Sequence, residues 1–194
     1  MIEEVTIPNR FESLRSEFGA EFRALIVPIE EDLKALLRFR DRARIQNGGL
    51  LCFLLGRSGI GKTTSAYSAV SNAPDAFGPV VTIPHDLELQ SCISWITSQV
   101  PSAIPNKSTI VLFDGREASD DDVGVRQFLS ALNQFLRRRP DVLFCWPTTD
   151  VEWHKKLRKI AENIGGANFC PKETDYHERG RRSRIGRRYW IDFS

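Results

Sequence analysis

Residues Gly56-Arg57-Ser58-Gly59-Ile60-Gly61-Lys62-Thr63 follow directly on Leu50-Leu51-Cys52-Phe53-Leu54-Leu55, six apolar residues without a break. An apolar run of this length bounded by glycines reads as a strand buried on both faces, the kind found in parallel sheets. The spacing GxxxxGK[ST] then describes a phosphate loop. Glycines let backbone N–H groups curl around a β-phosphate, a lysine reaches the β and γ oxygens, and a threonine hydroxyl ligates Mg²⁺. A chance match in a chain of this length has a probability on the order of one in a hundred, and the preceding strand lowers it further. Nucleotide binding is the expectation, with contacts from Gly56, Ser58, Gly59, Ile60, Gly61, Lys62, Thr63 and Thr64.

The chain has 194 residues, of which 41% are hydrophobic and 27% charged, an ordinary balance for one α/β domain with its own core. Its net charge of +2 conceals a local imbalance. Arginines stand at 179, 181, 182, 184, 187 and 188, whereas acidic residues gather elsewhere, as in Asp120-Asp121-Asp122. Cys52, Cys92, Cys145 and Cys170 are far apart, with no CxxC pair and no histidine at ligand spacing, which argues against a zinc site or a disulfide framework. A reducing, cytoplasmic compartment is expected. Met1-Ile2-Glu3-Glu4 lacks the basic and apolar features of a signal peptide, and no stretch approaches the ~20 apolar residues of a membrane span.

Periodicity divides the chain into an N-terminal helical extension over 1–27, with a candidate helix near Phe11 to Leu25, and a core over 28–194. Pro28 and the acidic Glu30, Glu31 and Asp32 open a helix that Asn47-Gly48-Gly49 ends. Lys62 to about Asn72 continues the phosphate loop as a helix whose dipole favours an anion. Val80–Ile83 predicts a second strand, and Asp86 a cap for a helix carrying Leu89, Cys92, Ile93, Ile96 and Val100. Thr109–Phe113 predicts a third strand, followed by a helix with Val125, Phe128, Leu129, Leu132, Phe135 and Leu136 on one stripe. Asp141–Trp146 is a fourth strand, before a helix with Trp153, Leu157, Ile160 and Ile164. Tyr189–Phe193 is the last candidate strand. Strands alternating with amphipathic helices predict a parallel sheet covered on both faces.

A phosphate loop needs a further acidic group for Mg²⁺ and, for hydrolysis, a group that orients water. Asp114, at the end of an apolar strand, suits the first role, with Thr63 as the other metal ligand; a helix-capping aspartate is the bland alternative. Glu117 suits the second, unless it is simply a solvated loop carboxylate. Thr148 and Thr149 suit a hydrogen bond to the γ-phosphate or the attacking water, a cap for the helix beginning near Val151, or both. Lys62, Asp114, Glu117 and Thr149 form the expected catalytic set.

Leu55-Gly-Arg-Ser-Gly-Ile-Gly-Lys-Thr-Thr64 resembles the Walker A loop of the AAA+ and STAND (NACHT-like) branch of P-loop ATPases, and Ile110-Val-Leu-Phe-Asp-Gly-Arg-Glu117 resembles the Walker B of NACHT-type domains. The resemblance covers about residues 28–194. It implies a three-layer P-loop NTPase sandwich with a parallel five-stranded sheet of order 5-1-4-3-2, Mg-ATP as ligand, and Thr148 or Thr149 as a sensor-1-like group. One departure is that Gly115, not glutamate, follows Asp114, so Glu117 must supply the base. Related ATPases carry a helical lid after the fifth strand, so a sequence ending at Ser194 is expected to be a fragment of a larger protein or to rely on a partner. They also carry a trans-acting arginine finger before that strand, which Arg179 to Arg188 would provide. A plain basic surface and a nucleic-acid patch are the alternatives for that cluster.

These observations favour an ATP-hydrolysing switch or motor module that binds ATP and ADP and acts as a homo-oligomer or with a partner subunit. A module holding ATP or ADP with negligible turnover is the rival, and a small-molecule kinase is a third reading. A GTPase is disfavoured, since Trp146-Pro147-Thr148-Thr149-Asp150 stands where NKxD would follow the fourth strand.

Overall fold

In a computed structural model the chain is described over residues 30–55, 61–114, 121–164 and 189–192. Its elements are α1 (Glu30–Ile45), β1 (Leu50–Leu55), α2 (Lys62–Asn72), β2 (Phe77–Thr82), α3 (Leu89–Gln99), β3 (Ser108–Leu112), α4 (Asp122–Leu136), β4 (Val142–Thr148), α5 (Val151–Ile164) and β5 (Tyr189–Asp192). The candidate helix at 11–25 lies outside the described residues.

The strands form one sheet in the order β2-β3-β4-β1-β5. β1 to β4 are mutually parallel; β1 is an unbroken apolar run, and β1, β3 and β4 are buried almost throughout. Alternate residues serve opposite faces, as the two-residue period of a strand requires. Leu50, Cys52, Ile110, Leu112, Leu143 and Cys145 pack with Leu36 and Phe39 of α1 and Ala66 and Ala69 of α2. Leu51, Phe53, Val111, Phe144 and Trp146 pack with Ile96 of α3, Phe128 and Leu132 of α4, and Leu157 of α5. The fold is therefore α/β with helices on both faces. That division follows from handedness: the crossover from β1 to β2 runs outward over one face, and the crossovers back through β3 to β4 are right-handed only over the other.

The expectation of five parallel strands is corrected by β5. It pairs antiparallel to β1, with Tyr189 opposite Leu55 and Asp192 opposite Cys52. α5 returns the chain toward the N-terminal ends of the strands, where a parallel β5 would start. Tyr189 instead sits at the C-terminal end of β1.

Smaller differences have local causes. β2 begins at Phe77 rather than Val80, with an irregular register between them at Gly78-Pro79, because a proline lacks the N–H that a regular rung needs. Glu88, not Asp86, stands at the N-cap of α3, and its side chain makes no capping bond. Asn47 takes the left-handed conformation after α1, with φ 53°, while Gly49 is needed for closeness: a Cβ there would lie 2.5 Å from the Arg139 carbonyl oxygen and 2.6 Å from that of Val142.

The turn from α4 into β4 is tied down by Arg139. Its guanidinium donates to both Asp141 carboxylate oxygens, at 2.8 and 2.6 Å, and to the Pro101 carbonyl at 2.7 Å. The hydrogen bond to Asp141 raises the guanidinium pKa further, against the effect of burial. Cys52, Cys92 and Cys145 are buried thiols that act as small hydrophobes. No helix among the described residues is long and apolar enough to cross a membrane.

Candidate functional site

Open parallel sheets bind ligands beyond the C-terminal ends of their strands, where connections diverge to opposite faces. Here that edge collects His85 after β2, Asp114 after β3, Thr148 and Thr149 at the end of β4, and Gly61-Lys62-Thr63 at the start of α2. An aromatic cluster underlies it. Phe113 and Trp146 meet edge to face with centroids 4.7 Å apart, and Phe128 packs against both at 5.2 and 5.9 Å. Such contacts stiffen the strand ends that carry the polar groups.

Gly61 has φ 82° and ψ 33°, a left-handed conformation that costs glycine nothing and an L side chain about 1 kcal/mol or more. It turns the chain so that Lys62 begins α2. Lys62 is buried, and Thr63 and Thr64 on the same turn are half-buried. The Thr63 hydroxyl donates to Asp114 Oδ2 at 2.5 Å across 51 residues of sequence. A hydroxyl and a carboxylate side by side are hard oxygen donors of the kind Mg²⁺ takes. Among the described residues no three His, Cys, Asp or Glu side chains cluster, and a magnesium ion held largely by nucleotide phosphates and water needs no such cage.

The first residues of the GxxxxGK[ST] motif, Gly56 to Ile60, lie outside the described residues, as do Glu117 and the arginines from Arg179 to Arg188. Asp150 caps α5, its Oδ1 accepting the N–H groups of Glu152 at 2.7 Å and Trp153 at 3.2 Å, and the capping reading is corrected for Thr148. Thr148 is fully buried, and its hydroxyl finds no partner among the described residues. Thr149 is the half-buried one, and of the two threonines it alone has surface to offer a ligand.

Two contributions escape a reading of the sequence. Asp32 in α1 is buried, and the Ser65 hydroxyl donates to its Oδ2 at 2.5 Å while also lying 3.2 Å from the Gly61 carbonyl. The acidic start of α1 reads as a response to the helix dipole. The signal in the sequence is that Asp32 shares the spacing of the buried Ala35, Leu36, Phe39 and Ala43. His85, exposed, places Nδ1 3.0 Å from the Asp114 carbonyl oxygen. Its signal is its place just past the end of a parallel strand.

No protein-family model matches this chain, and neither a curated protein nor a solved structure matches it.

Proposed function

We propose that this chain is a Mg-ATP-binding and ATP-hydrolysing switch or motor module of the AAA+/STAND-like kind, built on a P-loop NTPase fold. The observation that carries the reading is the Thr63–Asp114 contact. The threonine of a GxxxxGK[ST] motif and an aspartate ending a second apolar strand are the two groups a P-loop enzyme uses to hold its metal. Nothing in the local sequence obliges them to meet.

In this reading Lys62, at the first turn of α2, balances the charge of the β and γ oxygens, and the N–H groups of that turn face the same anion. Thr63 and Asp114 would hold Mg²⁺, which when bound neutralises charge on those oxygens. Thr149 donates to the γ-phosphate or to the attacking water. Glu117 orients that water and receives its proton. A module that holds nucleotide with little turnover is the second reading, favoured by Gly115, which leaves no carboxylate at the position after Asp114. Single-turnover hydrolysis separates the two.

Titration calorimetry with Lys62→Ala tests the common part. ATP affinity is expected to fall ten-fold or more, since an ammonium facing two phosphates is the largest side-chain charge in the site. Unchanged affinity would end the phosphate-loop reading.

A further inference from the structure

The backbone ladder between β2 and β3 ends one rung short of the site. Ile83 N–H donates to the Leu112 carbonyl at 2.9 Å, and in a parallel pair the next donor comes two residues further on, from residue 85 to the carbonyl of residue 114. Pro84 turns the chain away there, with Leu87 N–H donating back to its carbonyl at 3.3 Å. Residue 85 therefore makes no backbone rung to the Asp114 carbonyl, just where Asp114 must aim its carboxylate at Thr63. The side chain of His85 takes the place of its own backbone, with Nδ1 3.0 Å from that oxygen.

We propose that His85 is a positioning residue for the metal-holding corner: its Nδ1–H completes the β2–β3 ladder at Asp114 and so holds the carboxylate against Thr63. The inference rests on the nucleotide reading of the site and adds a residue to it. A carbonyl only accepts, so the contact assigns the proton to Nδ1 and leaves Nε2 bare in the neutral ring. Groups that orient a metal ligand in this way typically matter by roughly 10- to 100-fold in metal affinity.

The test compares parent, His85→Ala, His85→Asn and Lys62→Ala chains by calorimetry with ADP, once with Mg²⁺ and once with EDTA. His85→Ala should lose roughly 10- to 100-fold of the Mg²⁺-dependent affinity and keep the affinity measured in EDTA. His85→Asn should recover most of the loss, because an asparagine amide N–H sits close to where Nδ1–H does. In the parent, long-range ¹H–¹⁵N spectra should show the Nδ1–H tautomer for the imidazole whose signals vanish in His85→Asn. An Nε2–H tautomer, parent-like Mg²⁺ dependence in His85→Ala, or an asparagine variant as poor as the alanine one would each overturn the assignment. Lys62→Ala keeps the two claims apart. If it binds ADP like the parent, the nucleotide reading fails; if it loses ADP while His85→Ala does not change, only the role of His85 fails.

Discussion

Thr63 and Asp114 stand 2.5 Å apart, close enough that each changes what the other can do. A hydroxyl donating to a carboxylate keeps both oxygens aimed at one point, and a hard cation placed there meets two ligands with little reorganisation. Asp114→Asn retains the shape but loses the charge. Its ATP affinity in Mg²⁺ is expected to fall toward the value in EDTA. Glu117→Gln should do the reverse, leaving ATP bound and slowing hydrolysis by roughly 10². Parallel binding and single-turnover measurements on the two variants check the split. A Glu117→Gln chain as fast as the parent would move the base elsewhere. The Ser65–Asp32 contact has a different role, since it lies in the interior. Ser65→Ala removes a donor from a buried carboxylate, and a loss of about 1–3 kcal/mol is expected in urea unfolding.

At the scale of elements, the periodic helices were plain in the sequence, but what joins them to the sheet was less so. Asn47-Gly48-Gly49 marks the end of α1 clearly enough. Only the packing shows that Gly49 threads between the Arg139 and Val142 carbonyls while its N–H donates to the Leu136 carbonyl at 2.8 Å. A methyl group at 49 cannot be absorbed by rotating a flexible side chain, because its two nearest neighbours would be backbone oxygens. Gly49→Ala is therefore expected to cost about 1–3 kcal/mol or more, read as a lower urea midpoint with an unchanged slope. The capping aspartates show the same divide. Asp121 accepts from Gly124 N–H at 2.9 Å and Asp150 from the first turn of α5, whereas Asp86, equally suited by residue type, caps nothing because α3 starts later.

For the whole molecule, the consequence of β5 is that β1 has a neighbour on each side. Without β5, a strand of six apolar residues would present a bare row of backbone donors and acceptors, a template for pairing with other chains. Deleting residues 189–194 is expected to cause aggregation that grows with concentration relative to the parent chain, followed by light scattering. Scattering that stays flat would mean that the edge of β1 is protected in some other way.

The sequence by itself determined what depends on contiguous residues. It set out the buried strands as apolar runs and the helices as stripes of period 3.6. It also set out the GxxxxGK[ST] motif as glycines, a lysine and a threonine at fixed offsets. The meeting of Thr63 with Asp114, of His85 with the Asp114 carbonyl, and of Asp32 with Ser65 belongs to tertiary structure. Each joins residues 29 to 51 positions apart, a distance at which no local pattern operates. The direction of β5 belongs there too. Tyr189-Trp190-Ile191-Asp192 has the same residues in either orientation, and a short strand carries no sign of which end points up the sheet. The end of β1 at which the chain arrives decides that.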